Sequence, residues 1–415
     1  MRISAEHRSF SLVRHRALLP VAAFCVLVLS VCSPAAPQEK LPAARDFDEI
    51  AKRADQARDA NDLEKALRLY HKALAMRTGW AEGWWSLGTI LYDGDKYLEA
   101  ARAFERVVAL DPRHGSARVM LGLCEFELGK DDRALRDIEK GKELGVLQDP
   151  QLQRVMLYHQ GVLLLRKGNF ERAQQSLDSL SHEVVDDGEV ILALGMSVLR
   201  VGPKDLPPEG STAREIVLRA GKAEWFAASK KVEEARQEYS SLATEHAGAA
   251  NIHYAYGRFL LEIHEIDRAV VEFQHEIQND PQHVLARLEI AAVRYRLDSA
   301  DGVRYAEQAV KLDPQRPFGH YLLGLLYLDT SNFTGAISEL ETAKRNYPHV
   351  PDVYFALGNA YARAGRKAEA ARARAIFTRL NSQKRKEPAD TTYGEQPSGL
   401  TPRPPDPEAI PKPPP

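Results

Sequence analysis

The chain has 415 residues, of which 44% are apolar and 27% charged, with a net charge of −2. Such a composition suits two or three folded domains or one long repeat array. The near-neutral balance leaves no basic footprint and excludes charge-driven binding to nucleic acid or to an anionic membrane.

Residues 1–36 read as a targeting segment. Arg2, Arg8, Arg14 and Arg16 precede an uncharged apolar run over 17–31, and Ser33, Pro34, Ala35 and Ala36 supply small residues suited to cleavage. This is the layout of a secretory signal, and the run is short of the roughly 20 residues a membrane span needs. Two fates are open, a cleaved signal peptide or a retained signal anchor, and both export the rest of the chain. Leu29, Ser30 and Val31 before Cys32 resemble a bacterial lipobox, although Val31 stands where a small residue is usual; a lipid on Cys32 is the third alternative. The expected location is periplasmic or extracellular, with membrane contact only through an uncleaved segment or that lipid. Beyond residue 36 the chain has one cysteine, Cys124. An exported chain without an internal disulfide must be held by packing, and Cys124 in its apolar helical stretch reads as a buried structural thiol.

From 47 onward a small residue recurs: Ala54, Gly88, Gly122, Gly161, Gly195, Ala223, Gly257, Ala291, Gly324 and Gly358. Most spacings are 34 residues; the exceptions are 39 after Gly122, 28 after Gly195 and 33 after Ala291. Twelve residues after most of them stands an alanine, as at Ala66, Ala100, Ala134, Ala173, Ala235, Ala269, Ala336 and Ala370. An apolar residue usually follows four later, as at Phe104 and Phe273, and a proline closes several units, as at Pro112 and Pro281. Each unit predicts two helices. Trp84, Leu87, Gly88 and Leu91 share one face of the first, Ala100, Phe104, Val107 and Val108 one face of the second, and polar turns such as "DGDK" and "KGNF" join them. A glycine in a helix costs about 1 kcal/mol against alanine, so Gly88 is expected to mark a close helix crossing.

A 34-residue period is a signature of helical repeat arrays. The spacing of Trp84, Leu87, Gly88, Ala100, Phe104 and Pro112 resembles a tetratricopeptide repeat, here of an exported, bacterial type. The resemblance covers about 47–380, strongest at 81–114, 250–283 and 317–350 and weakest at 284–316, where a residue is missing and Gly302-Val303 replaces the alanine. It implies an all-α fold, a right-handed superhelical solenoid of antiparallel helix pairs, about nine units long.

One break interrupts the register. After a helix over 189–201 the partner helix is missing, and "VGPKDLPPEGST" cannot be regular helix. Ser211 or Thr212 then caps a helix running to about Lys230. The expected organisation is an N-terminal stack over 47–201, an irregular Pro/Gly loop at 202–211, and a C-terminal stack over 212–382. Proline-rich 384–415 is expected to be disordered or polyproline II.

Chemistry-bearing motifs are sparse. His264-Glu265 opens like a zinc-protease helix, but Arg268 stands where the second histidine belongs; His275-Glu276 fails likewise at Asn279. No phosphate-binding loop, dinucleotide fingerprint or nucleophile elbow is found. Asn332-Phe333-Thr334 fits a glycosylation acceptor but falls on a turn where asparagine is expected. The reading is therefore non-catalytic, without cofactor or metal.

In stacks of this kind the first helices line a concave surface, and residues one step off the core stripe point there. The candidate groove residues are Trp85, Thr89, Tyr92, Phe126, Tyr158, Tyr254, Arg258, Tyr295, Phe318, Tyr321, Phe355 and Asn359, with Trp85, Tyr92, Tyr254 and Tyr321 as aromatic anchors. The structural positions are Gly88, Ala100, Gly122, Ala134, Gly161, Ala173, Gly257, Ala269, Gly324, Ala336, Gly358 and Ala370. Some relatives clamp a peptide carboxylate with a Lys and an Asn one turn apart; Trp85/Thr89, Tyr158/Val162, Tyr254/Arg258 and Phe355/Asn359 do not match, which argues against that mode. The expected role is a protein- or peptide-binding scaffold or assembly factor. The alternative is a membrane-anchored accessory subunit of a surface polysaccharide or secretion machinery.

Overall fold

The small residues of the 34-residue register sit where paired helices come closest. The structure, a computed structural model, describes residues 42–146, 149–181 and 187–384. A β-carbon on Gly88 would lie 2.9 Å from the Phe104 ring, on Gly122 2.8 Å from Ile138 Cγ1, on Gly257 2.6 Å from the Phe273 ring and on Gly324 2.6 Å from Leu340 Cγ. Each partner stands four residues after the alanine of the second helix. Ala100, Ala134, Ala173, Ala269 and Ala336 are fully buried, Ala370 nearly so, and Gly161 is buried. The glycine thus makes room for the large side chain at the second position, and the alanine keeps the backbones close.

Among the described residues there are nineteen α-helices and no strand. The chain divides into two compact units, with the boundary at Leu164/Leu165. In the first unit α1 (Pro42–Asp59) pairs with α2 (Leu63–Met76), α3 (Ala81–Asp93) with α4 (Tyr97–Leu110), and α5 (Gly115–Glu127) with α6 (Asp131–Leu144). The boundary falls inside α7 (Pro150–Arg166). The second unit holds α8 (Phe170–Asp178), α9 (Gly188–Val198), α10 (Thr212–Ala228), α11 (Val232–Glu245), α12 (Ile252–Glu262), α13 (Ile266–Asn279), α14 (Val284–Arg294), α15 (Ser299–Leu312), α16 (Pro317–Asp329), α17 (Phe333–Asn346), α18 (Pro351–Arg363) and α19 (Lys367–Lys384). From α10 onward they pair in sequence, and each pair packs on the next.

The turn inside each pair has a fixed device. One residue, seven after the small residue, takes the left-handed conformation: Asn61, Asp95, Gly129, Gly168, Lys230, His264, Ser331 and Gly365. In two units it comes five after, at Arg200 and Arg296, because α9 and α14 stop early. The shortened 284–316 unit keeps its close crossing because Gly302 takes the alanine's place: a β-carbon there would lie 3.1 Å from Arg294 Cβ and 3.3 Å from the Ala291 carbonyl of α14, and 2.7 Å from Leu326 Cδ2 of the next pair.

A polar latch repeats as well. In four units an Arg or His stands four residues before the small residue, and its partner nineteen residues on is an acid of the second helix. Arg118 donates to Asp137 at 2.9 Å and Arg219 to Glu238 at 2.7 Å, while His253 Nδ1 lies 2.6 Å from Glu272 and His320 Nδ1 2.5 Å from Glu339. Helix starts are capped by side chains: Asp62, Asn169, Ser211 and Asn332 each accept a backbone N–H of the first turn. Asn332, the glycosylation candidate, uses its side-chain oxygen on Gly335 N at 3.0 Å.

The 202–211 loop corrects the expected organisation at one point. The helix before it does not lack a partner, because α9 packs on α10 across the loop. A β-carbon on Gly195 would overlap the Val217 carbonyl, and one on Gly221 the Ile191 carbonyl. These paired glycines bring the backbones into direct contact, so the loop lies within the second compact unit and the division falls at 164/165. The expectations for 1–36 and, beyond Lys384 at the end of α19, for 385–415 lie outside the described residues. No helix among the described residues is long and apolar enough to cross a membrane.

Candidate functional site

The groove candidates fall into positional classes. Trp85, Tyr158, Tyr254, Tyr321 and Phe355 stand three residues before the small residue. Trp85 packs between Phe104 of its own pair, ring centroids 5.5 Å apart, and His114 of the next pair, stacked at 5.2 Å. Tyr254 repeats this between Phe273 at 5.9 Å and His283 at 5.0 Å. Both histidines are N-caps: His114 Nδ1 accepts Ala117 N at 3.1 Å and His283 Nδ1 accepts Ala286 N at 3.0 Å. Burial holds the His283 imidazole down to about 4, so at neutral pH it is the neutral acceptor the cap requires.

This position faces the next pair more than solvent. Tyr254 is 3% exposed and is therefore a core residue, which corrects its assignment as an exposed anchor. Phe126, Tyr158 and Phe318 are buried too, Phe126 edge-on to His159 with centroids 4.6 Å apart. Trp85, Thr89, Tyr92, Arg258, Tyr295, Tyr321, Phe355 and Asn359 are half-buried. Tyr92 packs on Tyr97, Tyr321 on Phe318 and Phe355 on Phe377, and Thr89 turns its hydroxyl to the Trp85 carbonyl at 2.8 Å. Within each unit, packing against neighbouring rings takes part of these side chains' surface.

The second unit carries a charged cleft. A cleft of about 280 Å³ is lined by Asp178 and Ser179 from the end of α8, Glu224, Ala227 and Ala228 from α10, Lys230 after it, and Glu262 from the end of α12. Behind it Glu224 is 5% exposed and held on both oxygens: Gln174 donates to Oε1 and the Tyr239 hydroxyl to Oε2, each at 2.7 Å. Arg258 donates to Gln174 at 3.3 Å. Burial works against its charge, but Tyr254 and the carboxylates of Glu289, Glu262 and Glu171 outweigh it and hold the guanidinium charged.

Three carboxyls therefore share a small volume. Burial first, and then the neighbouring Glu224 carboxylate, pushes Asp178 well above the usual carboxylate range and Glu262 up to about 7. Asp178 Oδ1 is buried with no hydrogen-bond partner. Beside Lys230 the cleft suits a further cation: an ammonium or guanidinium at Asp178 Oδ1 would supply the missing donor, favour the ionised carboxyls and displace protons near neutral pH. Sequence reasoning missed it, since Asp178, Glu224 and Glu262 are 46 and 38 residues apart and each alone reads as a solvated helix acid. The one signal available is position. Glu224 and Arg258 both stand one residue after a small residue, where Thr89 and Asn359 are uncharged.

Comparison with protein families finds the repeat. The tetratricopeptide repeat family matches residues 86–141, 289–351 and 321–375. The chain is 24% identical over 334 residues to Superkiller protein 3 of Schizosaccharomyces pombe, covering 78% of this chain and 22% of that protein. It thus spans about a fifth of the curated relative's length. Among solved structures it is similar to MamA of Desulfovibrio magneticus RS-1, with 21% identity, a TM-score of 0.37, and 41% of this chain and 96% of that one covered. It is also similar to yeast Tom70, with 11% identity, a TM-score of 0.35, and coverage of 82% and 85%.

Proposed function

We propose that this chain, which carries tetratricopeptide repeats, is a non-catalytic protein-binding scaffold, and that it holds a basic side chain of its partner in the Asp178–Glu224–Glu262 cleft. The carrying observation is the buried Asp178 oxygen without a donor, set among three carboxyls in a cleft open to solvent. The repeat fold hosts many partners, so specificity must come from side chains such as these. Trp85 and Tyr92 in the first unit, and Tyr321 in the second, are half-buried and are each a candidate for apolar contact with a partner. The pattern at 1–36 supports an exported location, periplasmic or extracellular.

The test is a peptide array probed with the full chain, followed by titration of the bound peptides. Bound sequences are expected to carry Lys or Arg, to weaken with salt, and to lose affinity in Asp178→Asn and Glu262→Gln. Proton release on binding at pH 7 is expected from calorimetry in buffers of different ionisation enthalpy. Selection of acidic peptides, or affinities unchanged in both variants, would reject the cleft as the binding site.

A further inference from the structure

The polar latch has one variant with a third ligand. His253 on α12 and Glu272 on α13 form the latch, with Nδ1 and Oε2 2.6 Å apart. One helical turn after Glu272, His275 brings its Nδ1 to 3.9 Å from the same carboxylate oxygen. The two imidazoles meet edge-on with centroids 5.1 Å apart. One donor atom from each of the three residues lies within 4.8 Å of the others.

We propose that His253, Glu272 and His275 bind one divalent cation of the zinc class. The donor set is two imidazoles and a carboxylate, which zinc takes with a fourth position left for water. A tetrahedral ion with bonds of 2.0–2.2 Å needs its donors about 3.4 Å apart. The observed 2.6 and 3.9 Å separations straddle that value, so small side-chain shifts suffice. His275 is free to make them, its side chain 46% exposed, while His253 and Glu272 are 8% and 17% exposed and held in place. His253 also has a backbone hydrogen bond at Ala247, the kind of outer contact that orients a ligating ring. The site joins the two helices of one pair and is open to solvent on the His275 side.

The chain contains its own control. Sixty-seven residues on, His320 and Glu339 form the same latch at 2.5 Å, but Thr342 stands where His275 does. The latch alone is a structural device of the fold; the third imidazole is what makes a site. A search along single helices rejects His275-Glu276 for want of a second histidine, because that histidine comes from the neighbouring helix.

The experiment titrates the full chain with zinc chloride by calorimetry and with cobalt(II) by visible absorption. One equivalent is expected, with d–d bands of nitrogen and oxygen ligation. His275→Ala, on the exposed side, should leave the helical spectrum unchanged and weaken binding about tenfold or more, since even outer contacts are worth 10–100-fold. His320→Gln should keep the equivalent, and Thr342→His should add a second. The chain has 13 histidines, so differences between variants carry the result. No zinc bound by the unaltered chain, or binding that survives both His275→Ala and Glu272→Gln, overturns the proposal.

Discussion

Gly195 and Gly358 occupy the same register position and predict opposite outcomes. A β-carbon on Gly195 would run into the Val217 backbone carbonyl, which cannot move without separating two helices. On Gly358 it would meet Arg374 Cγ at 3.2 Å, part of an exposed side chain that can give. Gly195→Ala should therefore destabilise by about 1–3 kcal/mol. Gly358→Ala should be neutral or stabilising, by up to about 1 kcal/mol from helix propensity. Urea denaturation of the two variants decides this; equal losses would mean that register position, not the facing atom, sets the cost. Titration supplies a second test at this scale. The Glu262 carboxyl is raised from 4.5 to about 7 by burial and by Glu224. A carboxyl raised in the folded state binds its proton more tightly there than in the unfolded chain, so stability falls as pH rises from about 4.5 to about 7 and then levels. Glu262→Gln should remove that slope, raising the melting temperature at pH 8 and leaving it little changed at pH 4.5. A gain of the same size at both pH values would show that the carboxyl does not titrate with folding. His283, held down to about 4, has the reverse sign, losing its contribution as pH falls below about 6.5. The variant comparison cancels it.

At the scale of elements, the informative case is α10. Its Ala223 face meets α11 and its glycine face meets α9, so one helix serves two partners. A fragment of residues 165–384 should unfold cooperatively. A fragment of residues 210–384 strips α9 from Gly221 and exposes that backbone, and it should unfold at lower urea. Indistinguishable midpoints would mean that the α9 contact adds no stability. The helix pairs themselves were legible: the spacing from small residue to alanine placed both helices of nearly every unit, and Ser211 was named among the caps. The α9–α10 pairing was not, because proline and glycine at 202–211 report only that the backbone there is not helical. They carry no information on whether the flanking helices meet.

For the whole molecule, the structure makes packing the source of stability. Among the described residues the cysteine is Cys124, buried and free, its thiol pushed up to about 12 by burial. The thiolate is the reactive form, so Cys124 should resist iodoacetamide in the folded chain and label fully in denaturant, read by peptide mass mapping. Labelling at the unfolded rate under native conditions would show that α5 opens readily. The circular dichroism spectrum should be dominantly helical, and its melting curve unchanged by reductant.

Read from the sequence alone, the 34-residue register determined the helix pairs, their close crossings and the repeat class, because each is set by residues within one unit at constant spacing. The tertiary structure decided the rest. Residues three before the small residue face the next pair, so Tyr254 became core. Asp178, Glu224 and Glu262 met only once three helices packed, and His253 reached His275 only across a helix pair. A local pattern fixes which face of a helix is apolar. What that face meets depends on the angle and register of its neighbours, and those are set by packing among residues far apart in the chain.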